Sequence, residues 1–203
     1  DYIICSCFDA YSYCKYPQVR IMYSGENYIP DFNFIDYGVS SYPLKFLDRH
    51  LYYPLCVHDS EGHCNELINK NRNYNSGILK SKSLFANLIC SHDSEYELRS
   101  CFFHELSKYK QVDSAGSFLN NQPNQKSVSR FFSKLDFQKK CKFTICFEST
   151  WHQGFVTEKI ADAFYADTIP IYYGSSTVKD IFNANAFIYV PDYDSFDKVI
   201  ERI

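Results

Sequence analysis

The second half of the chain alternates two hydrophobic periods, and that alternation restricts the fold more than any other feature. Ser83-Leu84-Phe85-Ala86-Asn87-Leu88-Ile89-Cys90 is an apolar run of strand length, after which Leu98, Phe102, Leu106 and Tyr109 recur at helical spacing. Ser94 to Glu97 has the Ser-x-x-Glu form of a capping box, which predicts that the helix starts there. Gln111-Val112-Asp113 completes one βαβ unit. A second unit starts with the strand Phe143 to Phe147, continues through a helix over Thr157 to Ala166, and returns in the strand Thr168 to Tyr173. Phe196, Val199, Ile200 and Ile203 mark one face of a last helix near Ser195 to Ile203. Parallel strands require crossovers of this kind, so the pattern predicts an α/β fold with a doubly wound parallel sheet.

The first half is less regular. Residues 1 to about 55 mix short apolar runs with turn residues, and Arg20-Ile21-Met22-Tyr23 reads as a strand entering the turn Ser24-Gly25-Glu26-Asn27. From His58 to about Lys82 the sequence is polar, with Asn69, Asn71, Asn73 and Asn75 among charges, which is linker composition. The expected division is therefore residues 1–80 and residues 81–203. At 203 residues the chain has room for one complete domain and part of another, and its abrupt start in Tyr2-Ile3-Ile4-Cys5 reads as that of a fragment.

Composition serves mainly to exclude. Hydrophobic residues make up 45% and charged residues 22%, which excludes an intrinsically disordered chain. The formal net charge is −3, and no basic run interleaves with aromatics, so nucleic acid is not an expected partner. No apolar run approaches the ~18 residues of a spanning helix, so any peripheral membrane contact would come through segments outside this chain. Nine cysteines without framework spacing indicate a reducing compartment. The expected location is cytoplasmic, with membrane association, and the lumenal side of the Golgi membrane is the alternative. Cys56, His58, His63 and Cys64 group soft ligands, but their spacing fits no strong zinc pattern and no metal site is expected.

Chemistry concentrates in Phe147-Glu148-Ser149-Thr150-Trp151-His152-Gln153-Gly154-Phe155-Val156-Thr157-Glu158-Lys159, which runs from a strand end through a loop into the first turn of a helix. Ligands of open α/β sheets bind at the carboxyl ends of strands, where helix N-termini offer free amides to phosphates. Lys159 there can neutralise a diphosphate, and Glu158 can accept hydrogen bonds from a ribose diol. Taken alone, Thr157-Glu158-Lys159 also reads as an ordinary capped helix start, and Glu26 after Gly25 as a solvated turn residue. Trp151 either stacks on a ring or pins the loop to the core.

The run from Phe147 through Thr168-Ile169-Pro170-Ile171-Tyr172-Tyr173-Gly174-Ser175-Ser176 resembles the C-terminal domain of the α-1,3/4-fucosyltransferases, glycosyltransferase family 10. A second block, Tyr23-Ser24-Gly25-Glu26-Asn27 with Asp31-Phe32-Asn33 and Asp36-Tyr37, is similar to that family's acceptor-side signature. Val112 to Gly116 with Asn120-Asn121, and the helix bearing Arg99, fit the pattern too. The resemblance implies a GT-B-like architecture: a complete Rossmann-type donor domain from about residue 81, preceded by the C-terminal part of an acceptor-binding domain. It further implies GDP-β-L-fucose as donor, and an oligosaccharide or glycoconjugate as acceptor, with fucose transferred in α-1,3 or α-1,4 linkage.

On that resemblance Glu26 is the general base, Arg99 and Lys159 hold the diphosphate, and Glu158 binds the ribose. Ser149 and Phe155 occupy donor-side positions where many relatives carry Asn and Tyr, departures that bear on donor positioning or sugar preference. No cofactor is implied, since GDP-fucose is itself a substrate and a divalent metal would at most stimulate. Asp192-Tyr193-Asp194 has DxD spacing but follows Pro191, and reads as a turn and helix cap. The rival readings are a GT-B transferase of another nucleotide sugar and an inactive nucleotide-binding fragment.

Overall fold

The computed structural model describes residues 1–9, 11–57, 67, 76–122 and 131–203. Two parallel sheets organise it. The first has the order β1-β2-β3-β4, with β1 (Tyr2–Cys5), β2 (Val19–Ser24), β3 (Tyr37–Ser40) and β4 (His50–Tyr52). The second has the order β6-β5-β7-β8-β9, with β5 (Leu84–Leu88), β6 (Val112–Ser114), β7 (Cys141–Phe147), β8 (Ile169–Tyr173) and β9 (Ile188–Tyr189). All ladders within both sheets are parallel.

The helices are α1 (Ser76–Ser81), α2 (Leu98–Tyr109), α3 (Phe131–Gln138), α4 (Glu158–Tyr165), α5 (Val178–Ile181) and α6 (Phe196–Arg202). The predicted elements of the second half are all present, while α1 forms at residues whose composition reads as linker. Most of that polar stretch, with His58, His63 and Cys64, lies outside the described residues. None of the described helices is long and apolar enough to cross a membrane.

In the second sheet, β5 and β7 are central and the chain leaves them in opposite directions, to β6 on one side and to β8 and β9 on the other. The gap between their carboxyl ends is thus a topological switch point, where a doubly wound sheet opens a crevice for ligand. The core beneath it is aromatic: Phe102 of α2 stacks on Phe147 of β7 at 5.0 Å, and Phe196 of α6 meets Phe102 edge-on at 5.0 Å. In the first sheet Ile3, Cys5 and Met22 pack inward with Tyr13 and Ile35. The alternate positions Tyr2, Ile4, Val19, Tyr23, Tyr37 and Leu51 form an exposed outer face.

The two sheets meet along one seam. The Cys56 amide donates to the Val156 carbonyl at 2.9 Å, and the Tyr52 hydroxyl donates to the Gly154 carbonyl at 3.0 Å. Cys56 also enters the apolar cluster of Cys146, Val156, Ile160 and Tyr172. Gly154 sits at the tightest point, with φ +81°, where a Cβ would lie 2.5 Å from Pro43 Cδ and 2.8 Å from the Ser41 carbonyl oxygen. Only glycine takes that conformation without strain or collision. Gly154→Ala is expected to destabilise the protein by about 1–3 kcal/mol, measurable as a lowered urea midpoint. A midpoint equal to that of the parent would show that the seam does not constrain this residue.

Candidate functional site

A cavity of about 270 Å³ opens at the switch point. Its walls come from the segment after β5 (Ile89, Cys90, Ser91, His92), from Arg99 of α2, Lys134 of α3, Ser149 after β7, and Glu158 and Lys159 of α4. Four of the six residues singled out in the sequence, Arg99, Ser149, Glu158 and Lys159, therefore share one cavity. Glu26 and Phe155 do not line it. Glu26 is exposed on the turn after β2, and Phe155 is buried in the loop between β7 and α4.

Arg99 is 2% exposed, and carbonyl oxygens hold its guanidinium. Its Nε and Nη2 donate to Phe147 O at 3.1 and 2.8 Å, and Nη1 donates to His92 O at 2.8 Å. No carboxylate neutralises it among these partners, so the full charge is fixed at the cavity wall. The start of α2 departs from the expected capping box. Tyr96 and Glu97 both adopt left-handed backbone, φ 59° and 55°, so the helix begins at Leu98 and Glu97 cannot fold back on Ser94. Asp93 caps instead, accepting from the Ser100 amide at 3.3 Å and from its hydroxyl, while Ser94 Oγ accepts from the Arg99 amide at 3.1 Å. Burial pushes the Asp93 carboxyl up, but the Ser100 hydroxyl and nearby amides outweigh it and hold the group below the usual range.

Glu148 organises the other wall, and sequence reasoning gave it no role. Its side chain is fully buried. It accepts from the Thr157 amide at 2.9 Å, the Thr157 hydroxyl at 2.8 Å and the Lys159 ammonium at 3.1 Å. Thr157 is the N-cap of α4, but its hydroxyl donates to Glu148 rather than accepting from the helix. The carboxylate thus does the capping from β7 and draws the first turn of α4 against the strand end. Tyr172 completes the set at 3.4 Å, its phenol held protonated by burial and by the neighbouring carboxylate.

Lys159 donates to Thr157 Oγ1 at 2.8 Å as well. Burial disfavours its charge, but Glu148 and Glu158 outweigh that and raise its pKa above the usual lysine value. Burial likewise acts against the Glu158 carboxylate, and Lys159 and Lys134 overcome it, so Glu158 stays ionised. Lys134 was not anticipated. It reaches the cavity from α3 while pairing with buried Asp162 at 2.6 Å. Among the described residues the cavity therefore presents three cations, Arg99, Lys134 and Lys159, beside one carboxylate, Glu158, that lines it with them. That set suits a diphosphate attached to a neutral polyol.

The Glu26 turn lies across the seam. Ser41 donates its hydroxyl to Gly25 O at 3.2 Å, and its own carbonyl closes on Gly154 in the loop ahead of α4. Ser24 Oγ accepts from the Glu26 amide at 3.2 Å, which sets the turn at the carboxyl end of β2. Asn120 and Asn121 tie the segment after β6 to itself, through Gly116 O and Val112 O, both at 2.8 Å. Trp151 donates Nε1 to Gly174 O at 3.1 Å, so it pins its loop, although the residue stays 52% exposed. Asp192 pairs with Lys179 at 2.7 Å and Ser195 caps α6, so the Asp192-Tyr193-Asp194 sequence supplies a turn but no helix cap. No group of three or more metal-binding side chains occurs among the described residues.

A doubly wound sheet with a cationic crevice at its switch point, joined to a second parallel sheet, is a GT-B architecture. The sequence profile described as "Glycosyltransferase family 10 (fucosyltransferase) C-term" matches residues 79–203, and that of the "Alpha-(1,3)-fucosyltransferase FucT N-terminal domain" matches residues 1–58. The chain belongs to glycosyltransferase family 10. It is 33% identical to the alpha-(1,3)-fucosyltransferase FucT of Helicobacter pylori over 91% of its own length and 43% of that protein's. It is 29% identical to the human 4-galactosyl-N-acetylglucosaminide 3-alpha-L-fucosyltransferase 9 over 57% of its length and 31% of the relative's. A crystal structure of an alpha1,3-fucosyltransferase superposes with a TM-score of 0.78 at 28% identity, covering 100% of this chain and 64% of the other. One with GDP-fucose superposes at 0.73 with 30% identity, over 91% and 61%. The chain thus spans less than half the length of the curated relatives it matches.

Proposed function

We infer that the chain carries the donor site and the general base of an inverting fucosyltransferase that moves L-fucose from GDP-β-L-fucose to a glycan hydroxyl in α-1,3 linkage. The observation that carries this reading is the cavity in which Arg99 and Lys159 face Glu158, at the switch point of a family 10 fold. Glu26 takes the proton from the acceptor hydroxyl, whose oxygen attacks the anomeric carbon of fucose. The bond from that carbon to the β-phosphate oxygen breaks, and its electron pair leaves with GDP. Attack opposite the leaving group converts the β donor into an α product. Arg99 and Lys159 receive the charge that builds on the diphosphate, with Lys134 as a third cation, while Glu158 accepts from the ribose hydroxyls. These fixed cations do the neutralising, so the reading needs no resident metal.

Relatives bear on the substrates: one solved structure contains GDP-fucose, and the names of several relatives specify 3-alpha-L-fucosyl transfer to a galactosyl-N-acetylglucosaminide. Ser149, which lines the cavity, is where a different sugar preference would arise, whereas Phe155 is buried away from it. Calorimetry in EDTA against GDP-fucose, GDP-mannose and UDP-sugars tests this. GDP-fucose is expected to bind at least tenfold more tightly than the others, a difference of about 1.4 kcal/mol. Equal or tighter binding of another nucleotide sugar would overturn fucose as the donor sugar, and tight GDP binding without any transfer would favour an inactive nucleotide-binding protein.

A further inference from the structure

The cationic cavity has a neighbour of different character. Glu95, Tyr96, Leu98, Thr150, Trp151 and Tyr173 line a groove of about 30 Å³ that shares Ser149 with the donor cavity. No cation lines it among the described residues. Tyr96 is 87% exposed, a bulky residue held at φ 59° with Glu97 beside it at 55°. Consecutive left-handed residues without glycine persist only where surrounding contacts impose them. Here the Glu95 amide donates to Ser149 O at 2.8 Å, fastening this turn to the loop after β7. Trp151, which also lines the groove, is anchored by its ring nitrogen while half of the residue stays open to solvent. Thr150 lines the groove too, with its hydroxyl buried and without a hydrogen-bond partner among the described residues.

We propose that this groove is a saccharide subsite in which Tyr96 and Trp151 cradle a pyranose ring of the acceptor glycan next to the transferred sugar. The assignment rests on the fucosyltransferase reading above. A pyranose presents a face of C–H groups that lies on the electron-rich face of an aromatic ring, and hydroxyls at its edge that donate to a carboxylate such as Glu95. An acidic rim without cations repels phosphate and accepts a neutral polyol, the reverse of the cavity alongside it. The groove is shallow, so a ring would rest across it rather than enter it. Continuity through Ser149 puts the occupant beside the donor.

Trp151 is the only tryptophan in the chain, so its fluorescence reports on this groove directly. N-acetyllactosamine titrated into the 203-residue protein saturated with GDP is expected to give a saturable emission change. Tyr96→Gly should weaken that binding about tenfold, because it removes the ring while glycine accepts the left-handed backbone without strain. GDP affinity, measured by calorimetry, should be unchanged in the same variant. An emission response absent up to tens of millimolar saccharide with GDP bound, or a Tyr96→Gly variant that binds the saccharide like the parent, overturns the proposal. So does a tenfold loss of GDP affinity in Tyr96→Gly, which would assign the aromatic pair to the guanine base. Failure of the parent to bind GDP at all would instead sink the donor-site reading, and the saccharide titration run without nucleotide then decides the subsite by itself.

Discussion

Glu26→Gln is expected to lower kcat for fucose transfer by about 10²- to 10⁴-fold while leaving GDP-fucose affinity and thermal stability where they were. The magnitude is what a positioned general base supplies when it removes a proton in the transition state. The amide keeps the shape of the side chain and abolishes its basicity. Because Glu26 is exposed on a turn, its replacement should change stability by no more than about 0.5 kcal/mol, so a loss of activity could not be blamed on unfolding. The kinetic signature matters as much as the size: kcat and kcat/KM should fall together, as they do when an interaction made only in the transition state is removed. Undiminished transfer by Glu26→Gln would exclude this residue as the base.

Glu148→Gln should produce the largest change in stability. The parent carboxylate is buried with the Thr157 amide, the Thr157 hydroxyl and the Lys159 ammonium all donating to it. Removing its charge leaves Lys159 without its closest carboxylate, at a cost of about 3–5 kcal/mol. For a protein of this size that corresponds to a fall of roughly 6–20 °C in Tm. The pH dependence identifies the cause. Lys159 has a raised pKa in the folded protein, so the stability it contributes is complete below the unfolded lysine value of about 10.4 and is lost as pH rises through the folded value. The difference in Tm between parent and variant should therefore hold steady from about pH 6 to 9 and narrow above about 10.4. A difference that does not narrow would mean that Lys159 is not the partner that matters.

The elements that were legible in the sequence are those with a long, clean period. β7 and β8 carry apolar runs bounded by turns, and α2 and α6 repeat their apolar residues every three or four positions. Strands of two to four residues, such as β3, β4 and β9, are too short for any period to register. Capping was misread at α2 because Ser94 and Glu97 have the right spacing, while the backbone between them turns left-handed and gives the role to Asp93. Within the site, Arg99, Ser149, Glu158 and Lys159 share a cavity because their segments converge at one switch point. Glu148 and Lys134 escaped notice for a different reason. Their importance lies in partners brought close by the fold, Thr157 and Lys159 for one and Asp162 for the other, and spacing along the chain does not encode that proximity.

The seam through Gly154 and Val156 has a thermodynamic consequence. The loop it fastens to the first sheet is the same loop that leads into Glu158 and Lys159. Any free energy that nucleotide binding spends ordering this loop also changes how firmly the Tyr52 and Cys56 contacts are held. Coupling of this kind is reciprocal: whatever donor occupancy does for the placement of the Glu26 turn, a correctly placed turn does for donor affinity, by the same factor.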